Sequence, residues 1–152
     1  MSSSATHVTL MTRDGLSHSA PVAAVRTWGT VRRLLDDSDS ALGIVPLPNV
    51  ESPALETLLR YAEFEAAGHG AATLSAFSAE FAASLAGAAL TEALVAADYL
   101  DAASVLDVLC EAVTARLRGL SASQIRAELG VDADMPAGEE EAARAQVCWA
   151  RA

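Results

Sequence analysis

The stretch SVLDVLCEAVTARLR, Ser104 to Arg118, constrains this chain more than any other. Val105, Leu106, Val108, Leu109, Cys110, Ala112, Val113 and Leu117 recur at helical spacing and spread over an apolar arc of about 220°, roughly twice the stripe of about 100° that a surface helix needs. Asp107, Glu111, Thr114 and Arg118 fill the rest. A helix with that much apolar surface is either central to a large core or shared between its own domain and a partner.

The length of 152 residues suits one domain, or one domain with an appendage, and 52% hydrophobic against 20% charged residues is enough to build a core. No apolar run approaches the ~18 residues of a membrane span, and the polar Met1–Thr6 is expected to be a disordered end rather than a leader. Twenty acidic residues against ten basic ones, a formal charge of −10, disfavour nucleic acid as a partner, because binding it requires basic surface to displace counterions. Neither nucleic acid nor membrane is expected as a partner. The two cysteines, Cys110 and Cys148, fall in apolar helical segments. They read as inert core or interface thiols in a reducing compartment, not as a disulfide framework.

Along the chain, HVTLMT alternates as a strand does and RDG marks a turn, while LSHSA makes a poor second strand. A single helix is expected over Val22–Asp37, with Val25, Trp28, Val31, Leu34 and Leu35 on one side, followed by the acidic loop DDSDSALG. In IVPLPNV two prolines flank Leu47, which excludes helix and predicts a short edge strand running into a turn. Ser52 is expected to cap a helix with Pro53 at its first position, and AAGHGAAT to be a mobile linker. Helices follow over Phe77–Leu85 and Ala88–Tyr99, and the over-apolar helix starts at Asp101 or Ser104 and ends at Gly119. Ser121 with Gln124 is a capping box for a short helix stopped by Gly130, and Glu139–Glu141 begin a last helix as a solvated run that suits the N-terminal dipole. Strands confined to the first third and helices thereafter define an α+β fold.

The pattern contains no catalytic motif. His7, His18 and His69 lack a Cys, Asp or Glu at metal-ligand spacing, GHG lacks the glycine spacing and lysine of a phosphate loop, and no Ser, Cys or Thr has a base beside it in a motif. A non-enzyme with no metal and no cofactor is expected, and its surplus apolar helix surface suits a binding module.

VPLPNV followed by a proline-led helix, then AADYLDAASVLDVLCEAV, then IRAELGVDADM, the acidic EEE and Trp149, together resemble the Skp family over nearly the whole chain, as does the opening VTLMTRDG. That family supplies adaptor subunits of SCF-type cullin–RING ubiquitin ligases. The resemblance implies a BTB/POZ core with a small N-terminal sheet over residues 7–113 and a C-terminal extension of two helices over residues 114–152. It implies a cullin contact at Asp98 and Tyr99, and an F-box contact at Leu106, Cys110, Val113 and Leu117, then Ile125, Leu129, Val131 and Trp149. It further implies indirect association with a RING subunit and an E2 enzyme, a weak homodimer when free of F-box proteins, and residence in cytoplasm and nucleus. Departures are Asp98 for the family's asparagine, Ser17 and His18 in strand two, a shortened EAAGHGAAT loop, and alanines along the last helix.

Overall fold

Alternation in the first apolar segment becomes β1 (His7–Thr12), which buries Val8, Leu10 and Thr12 and turns His7 and Met11 outward. The computed structural model describes residues 7–37, 43–131 and 135–148; residues 1–6, the middle of the acidic loop, residues 132–134 and the end from Trp149 onward lie outside them. The chain divides into two units after Arg118.

In the first unit β1 pairs antiparallel with β2 (Ser17–Pro21), Leu10 opposite His18, and parallel with β3 (Ile44–Leu47), Leu10 opposite Val45, in the order β2-β1-β3. Gly15 takes a φ of 80° in the turn between β1 and β2, a conformation that favours glycine. Only Ala20 of β2 is buried, so the backbone ladder to β1, and not its own side chains, makes this poor strand a strand. Pro46 sits on the edge strand, where a missing N–H is tolerated.

Among the described residues six helices follow in this unit: α1 (Val22–Val25), α2 (Gly29–Asp37), α3 (Ser52–Ala66), α4 (Ala71–Ser84), α5 (Gly87–Leu100) and α6 (Ala103–Leu117). Leu10, Val25, Val31, Leu47, Leu55, Leu58, Phe81, Leu100 and Leu109 are its largest fully enclosed side chains and join sheet and helices in one core.

Four local expectations are corrected. The single helix over Val22–Asp37 is broken at Arg26–Trp28, because Gly29 docks against Asp101; its N–H donates to the Asp101 carbonyl at 3.1 Å, and a methyl group on Gly29 would overlap the Asp101 carboxylate. The linker is shorter than expected: α4 begins at Ala71, six residues before Phe77, since alanine-rich sequence propagates helix without an apolar stripe to announce it. His69 in the remaining loop stacks on Phe64, ring centroids 4.3 Å apart, and Phe64 stacks on Phe77 at 3.8 Å. Asp101 does not start α6 but ends α5, in the left-handed region at φ 54°, and Ser104 lies inside α6 with its hydroxyl on Glu65 at 2.9 Å.

Ser52 is the fourth correction. Glu51 occupies the cap position without a side-chain bond, and Ser52, in the first turn of α3, is buried in a polar cluster. Its Oγ donates to Asp14 Oδ1 at 3.0 Å and lies 3.0 Å from Thr12 Oγ1 and 2.9 Å from His18 Nε2. With the single hydroxyl proton directed to Asp14, the His18 Nε2–H is the donor to Ser52. The Thr12 hydroxyl, beside the Asp14 carboxylate, is the main cause that holds the Asp14 carboxyl below its ordinary range; desolvation opposes it, and the Ser52 hydroxyl and N–H add smaller lowering effects. A depressed carboxyl stabilises the fold above its unfolded pKa and ceases to do so as pH falls through the folded one. The midpoint of urea unfolding is therefore expected to drop as pH falls below about 4, and Asp14→Asn is expected to remove part of that drop. An acid limb identical in parent and Asp14→Asn would contradict this role.

The second unit contains α7 (Ala122–Leu129) and α8 (Ala137–Val147). The Ser121–Gln124 capping box is formed in both directions, and Gly130 stops α7 in the left-handed region at φ 65°. None of its described residues is fully buried where burial is defined; Ile125 and Leu129 are half-buried. Glu140, expected in a solvated run, instead accepts from Arg126 of α7 at 2.9 Å and from Arg144 of its own helix at 2.6 Å. This ionic joint links two helices that have little apolar surface to share.

Candidate interaction surfaces

α6 resolves its surplus of apolar surface by burying only the middle of the arc. Val105 and Leu109 are fully enclosed, Leu106, Val108, Ala112, Val113 and Leu117 are half-buried, and Cys110 is exposed. Leu106, Cys110, Val113 and Leu117 follow one another at spacings of four, three and four, so they form one stripe along a flank of the helix. Leu106 and Val113 touch the core with part of their surface and leave the remainder open. Both Cys110 and Cys148 are free and at the surface, not in the core as one reading of the sequence had it.

Arg116 falls inside the apolar arc and was not singled out from the sequence. Its Nη2 donates to the carbonyl of Ala82 at 3.2 Å, at the C-terminal turn of α4, where a cation complements the helix dipole. Its buried Nη1 finds no partner among the described residues. A cation following Leu109 and Ala112 at helical spacing was the available signal, since such a residue needs an acceptor on the element it packs against.

A second surface forms where α5 ends. Asp98 is exposed, and the ring of Tyr99 is half-buried against the core. The left-handed turn at Asp101 fixes both, with the Asp101 N–H bonded back to the carbonyl of Asp98. α2 braces this turn from outside: Thr30 Oγ1 donates to the Tyr99 carbonyl at 2.8 Å, and Arg33 pairs with the Asp101 carboxylate at 3.1 Å. Gly29, Thr30 and Arg33 are thus supports that sequence reasoning missed, because their partners lie about seventy residues away. Thr30→Val is expected to lower stability by about 1 kcal/mol, through the orphaned carbonyl, in chemical denaturation. An unchanged midpoint would show that water replaces the hydroxyl.

In the second unit, Val131 is 55% exposed, and Ile125 and Leu129 present half-buried apolar surface on α7. Ala142, Ala145 and Cys148 are exposed along α8, and Trp149, the remaining candidate, lies outside the described residues. Among the described residues no His, Cys, Asp or Glu side chains form a group of three able to hold a metal ion, and no helix is long and apolar enough to cross a membrane.

A three-stranded sheet carrying a helical core, followed by a separate helical pair, defines an α+β protein of the BTB/POZ type with a C-terminal helical extension. Comparison with known proteins makes this specific. Residues 103–150 match the model of the Skp1 family, dimerisation domain. SKP1-like protein 1A of Arabidopsis thaliana is 32% identical, the match covering 97% of this chain and 98% of the relative. SKP1-like protein 11 of the same plant is 31% identical over 94% and 95%, and SKP1-like protein 20 of Oryza sativa subsp. japonica 27% identical over 94% and 93%. The chain belongs to the Skp1 family, the family of SCF ubiquitin-ligase adaptors.

Proposed function

We propose that this chain is the non-catalytic adaptor of an SCF-type ubiquitin ligase, taking a cullin at the end of α5 and the F-box of a substrate receptor on the flank of α6 and on its C-terminal helices. The observation that carries the reading is the half-open stripe Leu106, Cys110, Val113 and Leu117, within the segment that matches the family model. A stripe left half in water gains burial only from a further partner. Asp98 and Tyr99 supply the cullin contact, and the RING subunit and E2 enzyme join through the cullin. We place this activity in the cytoplasm and nucleus, where two exposed thiols remain reduced. A weak homodimer through the same stripe, in the absence of an F-box protein, belongs to the same reading.

The test is a pair of titrations of the full chain, one against a cullin N-terminal domain and one against an F-box peptide, followed by assembly of the ternary complex on gel filtration. Failure of the F-box titration overturns the reading. A second reading, an F-box partner that acts outside cullin ligases, is favoured by one observation: Asp98 places an exposed carboxylate where the family pattern has a neutral amide. Asp98→Asn is expected to tighten cullin binding several-fold, because the exchange removes a charge that must be desolvated at the contact. Weaker binding by the variant would mean that the carboxylate meets a cullin cation.

A further inference from the structure

The ten cationic Lys and Arg positions are all arginine; the 152 residues contain no lysine. Nothing in the geometry of several of these side chains calls for a guanidinium. Arg13 meets Glu51 at 3.9 Å and Arg26 meets Asp36 at 3.5 Å, with both partners more than half exposed, and Arg32 is exposed. Single long contacts at the surface do not use the planar fork that sets arginine apart, and an ammonium would serve the same Coulombic purpose.

The two cations differ in one respect that matters beside a ubiquitin ligase. Ubiquitin transfer begins when the free electron pair of an amine attacks the thioester carbonyl of the charged E2. A C–N isopeptide bond forms, the C–S bond breaks, the E2 cysteine leaves as thiolate, and the amine releases a proton to solvent. A lysine reaches its neutral, nucleophilic form readily, whereas arginine stays protonated with its electron pairs delocalised. We infer that this chain is not an internal acceptor for ubiquitin within its own ligase. The inference rests on the adaptor reading, which puts this chain in one assembly with a charged E2.

The experiment compares the full parent chain with Arg13→Lys, Arg26→Lys and Arg32→Lys in a reconstituted complex of cullin, RING subunit, F-box protein, charged E2 and ubiquitin, with adducts mapped by mass spectrometry. The expected result is no internal adduct on the parent and an isopeptide adduct on the introduced lysine of at least one variant. An internal adduct on the parent, amide or ester, overturns the inference. A parallel set joins each full chain to the E2 through a flexible lysine-free linker, which supplies proximity without cullin binding. If the complex fails to assemble, the adaptor reading falls, and the tethered set still decides the inference: tethered variants that stay unmodified overturn it, and tethered variants modified beside a clean parent support it.

Discussion

A chain ended after Met135 is expected to keep its cullin affinity and lose its F-box affinity. Every fully buried hydrophobic side chain among the described residues, from Val8 to Leu109, belongs to the first unit, so removing α8 and the segment beyond it takes nothing from the core. The cullin contact proposed at Asp98 and Tyr99 is braced by Thr30 and Arg33 of α2, all within the first unit. The deletion does remove the exposed apolar Val147 and also Trp149, the largest residue of the segment removed. A tryptophan enclosed by a partner costs roughly 2–4 kcal/mol when deleted, so the loss of affinity is expected to exceed about thirtyfold. Paired titrations of the shortened and full chains against a cullin N-terminal domain and an F-box peptide read both arms. Undiminished F-box affinity would take α8 and Trp149 out of the site and leave the α6 stripe with α7.

Tyr99→Ala is expected to have the reverse effect, weakening cullin binding by about 2 kcal/mol, roughly thirtyfold, with little change in F-box binding. The ring is only half-buried against the core, so it retains surface to offer, and an aromatic body with a polar tip is a common anchor at protein interfaces. Because part of the ring packs inward, the variant should also melt at a somewhat lower temperature. Its backbone position is held independently, by the Thr30 hydroxyl on the Tyr99 carbonyl and by the left-handed turn at Asp101. The lesion should therefore stay local. If both affinities fall together, the ring is chiefly a core residue and the cullin contact must lie elsewhere.

What could be read from the sequence was mostly what short-range chemistry decides. The Ser121–Gln124 box, the stop at Gly130 and the edge strand around Pro46 each depend on neighbours a few residues away, and the structure reproduces them. The break at Arg26–Trp28 could not be read, because it exists to let Gly29 meet a carbonyl at Asp101. Ser52 carries a cap signal, but Asp14, Thr12 and His18 draw its hydroxyl away from the helix end. α4 was missed at its start because alanines leave no apolar period to count. The excess apolar arc of α6 was visible at once, yet which flank stays open depends on how α3, α4 and α5 surround it. Asp98 and Tyr99 have no local signature, and only the resemblance of the whole pattern singled them out.

The joint at Glu140 makes the two units respond in opposite ways to the same change of solution. Sulfate added to the buffer is excluded from protein surface and reinforces apolar burial, so the first unit, held by Leu55, Leu58, Leu100 and Leu109, becomes firmer. The same added electrolyte shortens the range over which Arg126 and Arg144 attract the partly exposed Glu140 carboxylate, so the tie between α7 and α8 weakens. Ionic strength thus acts on this chain as a differential control, loosening the C-terminal helices while the domain that precedes them tightens.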